Sequence, residues 1–340
     1  MTSPVPPDFP GGQPAHGGDL AAATALHGAP EGGWLDLSTG INPRLYPFQP
    51  PPSSVAQRLP DRELEDAVIT AAGAYYRTDA EIVPGSGTQA FIQSLPLLRP
   101  QARVGVLGPT YSEHVRAWAA AGHAVTEVAA FSQLVGFDVA VVVNRNNPDG
   151  SRHSAEDLLD RADAMAATGG LLVVDEAFCD VEPELSIAAE MPRPGLVVLR
   201  SFGKFFGLAG IRLGFALAGR ETASGLRARL GPWAVSGPAL QIGAQALTDT
   251  DWQAETLDRL RRDRARLDGL LHDAGLHVLG GTALFRLIET SGPGLHRHLA
   301  RHGIWTRAFD WSPNRLRIGL PDGDDQWQRF SSALTGFTTD

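Results

Sequence analysis

Lys204 is the single lysine of a chain whose other 28 basic residues, out of 29, are arginines. A bias this strong fits a GC-rich genome in which surface lysines drift to arginine at little cost, so a retained lysine marks a place where arginine does not serve. Arginine stays protonated near neutrality, whereas a partly buried lysine can have its pKa lowered and act as a nucleophilic amine. Chance retention of a surface lysine is the alternative. Lys204 closes Ser201-Phe202-Gly203-Lys204, directly after the apolar run Leu196–Leu199, and Arg212 follows eight residues later. A lysine just past a strand end lies where open α/β sheets bind their ligands. The Ser201 hydroxyl and the Arg212 guanidinium are donors suited to a phosphate.

Asp175 closes a second apolar run, Leu171-Leu172-Val173-Val174-Asp175. A carboxylate there is costly to bury unless it meets a cation, and a protonated pyridine nitrogen is one such cation. Capping of the next turn is its plainer role. Ser86, Gly87 and Thr88, in Gly85-Ser86-Gly87-Thr88, precede a helical stretch and suit a phosphate at a helix N-terminus. Tyr111, after Gly108-Pro109-Thr110, is suited to stack on a flat ring. Asn147, in Asn146-Asn147-Pro148-Asp149-Gly150, is suited to donate to a phenolate oxygen. Taken singly, each of these three also reads as an ordinary turn or packing residue.

The elements that must position these groups alternate from about residue 62. Helical patterns cover Glu63–Tyr76, a stretch from Thr88, Glu113–Ala121 and Ala155–Ala167. Short apolar runs at Val104–Leu107, Val139–Val143, Leu171–Val174, Leu196–Leu199 and Leu213–Leu217 read as buried strands. That alternation predicts an α/β fold with a mainly parallel sheet. The first 50 residues, rich in Pro and Gly, predict an irregular lead-in that adds little core. After Pro238 one long helix is expected through Leu271, with Arg259–Arg266 on its solvated face. Strands at His277–Leu279, Leu284–Ile288, Ile304–Ala308 and Leu316–Ile318, with helices Leu295–His302 and Gln326–Leu334, complete a smaller α+β domain. The expected division is 1–50 as arm and small-domain segment, 51–237 as large domain and 238–340 as small domain.

Composition narrows the function. The formal charge of −9 supplies no basic field for a phosphate backbone or an anionic membrane surface, so neither nucleic acid nor membrane is an expected partner. One cysteine, Cys179, builds neither a disulfide nor a Cys-rich zinc site. No metal site is expected. The N-terminus, Met1-Thr2-Ser3-Pro4, lacks a basic and apolar leader pattern, and a cytoplasmic location is expected.

Taken in order, Gly-Ser-Gly-Thr, Tyr, Asn-Pro, strand-Asp, Ser-x-x-Lys and Arg resemble the class I/II aminotransferase superfamily of fold-type I pyridoxal 5′-phosphate (PLP) enzymes, over nearly the whole chain. The resemblance implies a seven-stranded, mainly parallel sheet in a large domain, a smaller α+β domain and a homodimer. It implies Ser86, Gly87, Thr88, Ser201 and Arg212 on the cofactor phosphate, Tyr111 against the pyridine ring and Asn147 on its O3′. It further implies Asp175 on the ring nitrogen, Lys204 as Schiff-base lysine and proton shuttle, and Arg317, in Leu316-Arg317-Ile318-Gly319, on the substrate α-carboxylate.

Two positions depart from the family pattern: Phe178 and Leu59 stand where relatives often carry tyrosines that contact the cofactor. Within the superfamily the chain is most similar to the branch containing histidinol-phosphate aminotransferases and L-threonine-O-3-phosphate decarboxylases. His16-Gly17-Gly18-Asp19, Leu37 to Pro43 with Asn42, and Gly87 to Gln93 resemble the decarboxylases of cobalamin synthesis. By that resemblance Arg307 binds a substrate phosphate with His16, and Asn42 joins the substrate site. The expected substrate is a small phosphorylated amino acid. The expected reaction is decarboxylation of L-threonine O-3-phosphate; transamination of an amino-acid phosphate is the alternative, and PLP binding without turnover a remote third. No helix-turn-helix pattern precedes the α/β region, which disfavours the third.

Overall fold

The computed structural model describes residues 16–337. The chain divides into two compact units, Arg44–Leu257 and, discontinuously, Met1–Pro43 with Asp258–Asp340. The divisions expected from sequence lie at 50/51 and 237/238. The helix Gly237–Thr248 packs on Arg62–Tyr76 and so belongs to the larger unit.

The larger unit is built on seven strands: β1 (Glu81–Gly85), β2 (Arg103–Leu107), β3 (Ala124–Val128), β4 (Val139–Val143), β5 (Leu171–Asp175), β6 (Leu196–Ser201) and β7 (Gly214–Ala218). Their order is β1-β7-β6-β5-β4-β2-β3. The pairs from β6 through β3 are parallel, and β7 runs antiparallel to both its neighbours. The central strands β4, β5 and β6 are buried at every position, as β-branched and leucine runs covered on both faces require. Two strands escaped the sequence reading. β1 contains Pro84 and ends in the glycine-rich turn, and β3, at the sheet edge, exposes Ala124, Thr126 and Glu127 and so lacks a continuous apolar run.

The smaller unit holds a four-stranded antiparallel sheet in the order Arg307–Phe309, Ser312–Gly319, Phe285–Glu289, Val278–Thr282. The stretch 304–308, expected as one strand, is two. Ile304–Trp305 pairs in parallel with Leu35–Asp36, whereas Arg307–Phe309 pairs with Ser312–Gly319, and buried Thr306 lies at the changeover. That pairing corrects the expectation for the first 50 residues, because Leu35 and Leu37 enter the core and a helix forms at Leu20–His27. The long helix is also two. Gly237–Thr248 ends at Asp249, whose ψ of 80° leaves the helical region, and Thr250–Asp273 starts immediately after it. Arg259 on the second helix is not fully solvated, since it donates to Asn42 Oδ1 at 2.8 Å and pairs with Asp263 at 3.2 Å.

Candidate active site

Strand direction gathers the predicted residues of the larger unit at one end of its sheet. β2, β4, β5 and β6 are parallel, and their C-terminal ends deliver Tyr111, Asn147, Asp175 and the segment Ser201 to Lys204. Because β7 is antiparallel to β6 and β1 antiparallel to β7, the end of β1 with Ser86, Gly87 and Thr88 lies at the same edge, as does Arg212 before β7. This is where open α/β sheets present ligand sites.

Two close approaches shape the turn that holds Ser86, Gly87 and Thr88. Gly87 has φ +74°, and a β-carbon on it would stand 2.7 Å from Arg212 Nη2, so the guanidinium closes over bare backbone. A β-carbon on Gly214 would meet Thr88 N at 2.7 Å and the Gly87 carbonyl carbon at 2.8 Å. Arg212 itself is left-handed, φ 55°, which costs a residue with a side chain roughly 1 kcal/mol. Its side chain also donates to the Ala209 carbonyl at 3.2 Å. The Ser86 hydroxyl donates to the Ala234 carbonyl at 2.7 Å, and Ser201 is buried at the end of β6.

Asp175 is buried, and its carboxylate is held from two directions. Oδ1 accepts the Ala177 N–H at 3.0 Å, and Oδ2 lies 2.9 Å from Nε2 of His114, itself buried. His114 escaped the sequence reading; its one available signal was its position three residues past Tyr111, at the start of the helix Glu113–Ala120. The Tyr111 ring meets His114 edge to face at 6.2 Å, and its hydroxyl donates to Gln89 Oε1 at 3.3 Å. Lys204 lies on the short helix Phe202–Phe205 with Nζ 5.5 Å from the centre of the buried Phe178 ring. The ring at 178 lies beside the amine as a tyrosine's would, and the departure removes only the hydroxyl.

In the smaller unit, Arg317 and Arg307 stand directly opposite each other on adjacent antiparallel strands. Like charges so placed repel, and an anion relieves them. Arg317 is buried, and its Nη2 donates to the Ser38 carbonyl at 2.7 Å. Burial and then the Arg307 guanidinium push its pKa down to about 9, against the pull of Asp36, so it remains a cation at neutral pH. Ser38 accepts the Gly18 N–H at 2.7 Å, and a β-carbon on Gly17 would stand 2.4 Å from the Ser38 carbonyl oxygen. His16, exposed, is thereby held next to the segment that orients Arg317. Asn42 is buried, accepting from Arg259 within the same unit. Asp36 and Ser38 carried no chemical signal in the sequence beyond their place before Asn42.

Residues 53–327 match the family described as aminotransferase class I and II. The chain belongs to the class I and II aminotransferase family. Within it, the chain is 46% identical over 328 residues to a protein of Pseudomonas aeruginosa named threonine-phosphate decarboxylase, covering 95% of this chain and 97% of that one. It is 31% identical over 300 residues to a histidinol-phosphate aminotransferase of Rubrobacter xylanophilus, covering 79% and 82% of the two chains. The fold is also that of a histidinol-phosphate aminotransferase from Sinorhizobium meliloti solved in complex with pyridoxal-5′-phosphate, with a TM-score of 0.77 at 22% identity over 92% of this chain and 93% of that one.

The donor set of this aminotransferase-family chain fits PLP on its own geometry. A glycine turn capped by an arginine suits the phosphate, a clamped buried carboxylate suits the ring nitrogen, and the one lysine stands at the same sheet edge. Among the described residues no helix is long and apolar enough to cross a membrane.

Proposed function

We propose that the chain decarboxylates L-threonine O-3-phosphate with PLP, releasing CO2 and (R)-1-aminopropan-2-ol O-phosphate for cobalamin synthesis. The observation that carries this reading is 46% identity, over 95% of the chain, to a threonine-phosphate decarboxylase, against 31% over 79% to a histidinol-phosphate aminotransferase. The opposed arginines 307 and 317 support it, because a substrate with two anionic groups, carboxylate and phosphate, matches two cations.

Lys204 would hold PLP covalently through Nζ, and Ser86, Gly87, Thr88, Ser201 and Arg212 would hold its phosphate. Tyr111 would lie against the ring and Asn147 on O3′. The chemistry supplied by bound PLP is a sink for the electron pair left on Cα when CO2 departs. Asp175, pinned by Ala177 N–H and His114, would keep a proton on the ring nitrogen and so keep that sink strong. Arg317 would orient the α-carboxylate, while Arg307, His16 and Asn42 would fix the phosphate end. Bound at both anionic ends, the substrate would keep one orientation on these side chains. The Lys204 amine would return a proton to Cα. In a homodimer, and in the reducing cytoplasm that a single buried cysteine suits, this site would work on a soluble phosphorylated amino acid.

Two incubations test the proposal. With phosphothreonine, the pure protein should release CO2 without a 2-oxo acid. With histidinol phosphate and 2-oxoglutarate, it should form little glutamate. Glutamate without CO2 would reassign the chain to transamination, and neither product would leave PLP binding without turnover.

A further inference from the structure

On the face of β5 and β6 away from Asp175, three charged side chains are sealed from water. Glu176, Arg200 and Asp180 are 0%, 2% and 3% exposed. Arg200 Nη1 donates to Glu176 Oε2 and, at 2.7 Å, to Ser186 Oγ, while Nη2 donates to Asp180 Oδ1. Glu176 also accepts from Ser186 Oγ at 2.6 Å and Ile187 N at 2.8 Å. The guanidinium lies 4.5 Å over the Tyr76 ring, and the Tyr75 hydroxyl stands beside Asp180. Burial pushes both carboxyls up, and Arg200 opposes it.

A buried arrangement of two carboxylates and one guanidinium is a poor stabiliser, because apolar side chains of similar volume would serve as well. Its position has a different consequence. The β5–β6 ladder ends where Glu176 N donates to the Leu199 carbonyl at 2.9 Å. Beyond that point β6 continues through Arg200 and Ser201 paired with β7, and the chain after Glu176 turns away into the 3-10 turn Cys179–Val181. Arg200 therefore bridges the two strands where their backbones part. One end of the bridge adjoins Asp175, and the other lies four residues before Lys204.

We infer that Glu176, Arg200 and Asp180 are positioning residues that hold Asp175 and Lys204 at the fixed separation a rigid cofactor ring demands. The inference rests on the PLP reading of Lys204. A ring bound covalently at one end and through a hydrogen bond at the other tolerates little slack between its two anchors, and small misplacements cost rate out of proportion to stability.

The test is Glu176→Gln, which keeps shape and removes one of the two negative charges, with Arg200→Lys as the conservative partner. The apoprotein melting temperature of Glu176→Gln should fall somewhat, because the amide NH2 meets a donor, Ile187 N–H or Arg200 Nη1, where the carboxylate accepted both, so kcat is compared per folded protein. In the holoenzyme its kcat for phosphothreonine should fall about tenfold or more with KM changed less than about twofold. The pH midpoint of the visible band, which reports protonation at Lys204 Nζ, should move down, since a negative charge nearby is gone. Arg200→Lys, keeping the charge without the fork, should show a smaller loss of kcat and a smaller shift. A kcat that tracks only the folded fraction with an unmoved midpoint would overturn the inference, and so would failure of Glu176→Gln to fold, which would mark a folding role. A wild type with no visible band and no borohydride-fixed label fails at the PLP reading instead, before any variant is compared.

Discussion

Arg317 is the residue whose role can be checked most cleanly, since the repulsion between a buried guanidinium and a second one directly opposite is relieved by an anion. Arg317→Met should raise KM for phosphothreonine by about 10- to 100-fold, the worth of a charge-assisted pair, while leaving the PLP spectrum unchanged. Steady-state kinetics with a parallel absorption spectrum measure both. At this scale the sequence was informative where a residue type is rare or costly. Lys204 stood out as the one lysine, and Asp175 as a charge ending an apolar strand. His114 and Arg200 did not, because a histidine among helix residues and an arginine among 28 are unremarkable until the fold buries them.

Elements decide whether those residues meet. The turn between β1 and its following helix, Thr88–Ser94, works because Gly87 and Gly214 let two backbones touch. Gly214→Ala would press a methyl against backbone atoms 2.7–2.8 Å away, destabilising the protein by about 1–3 kcal/mol and weakening PLP binding. Ser236→Ala, by contrast, would remove the cap whose hydroxyl oxygen accepts Ala239 N–H, costing about 1 kcal/mol with PLP affinity unchanged. Urea denaturation of the apoproteins and fluorescence titration with PLP separate the two effects. The elements legible in sequence were those with unbroken periodicity, such as Val139–Val143, found as expected. Edge strand β3 and the sheet change at Thr306 were illegible, because pairing partners distant in the chain settle them, whereas the break at Asp249 carried a local mark in a side chain that caps Trp252 N at 3.0 Å.

For the whole molecule, two units joined by two crossings need not unfold as one, so stability is best followed with probes in each. The smaller unit carries a pH-sensitive element in His296, which burial, with His27, Arg297 and Arg307 nearby, lowers to about 4. A folded-state pKa below the unfolded value means that the unfolded chain takes the proton first. The stabilisation is thus fully present above about pH 6.5 and is lost as pH falls toward 4, by up to about 3 kcal/mol. Denaturation followed at pH 7 and pH 5 should show this loss in the wild type and less of it in His296→Phe. The helix Thr250–Asp273 runs through the second crossing with no local break at Leu257, so no local pattern in the sequence marks that boundary.

The most direct measurement is borohydride reduction of the PLP-loaded protein followed by peptide mass mapping. A pyridoxyl group fixed on the peptide that contains Lys204, with loss of the visible band, is the predicted result. Phosphothreonine decarboxylation that persists after reduction, with Lys204 unlabelled, would contradict it.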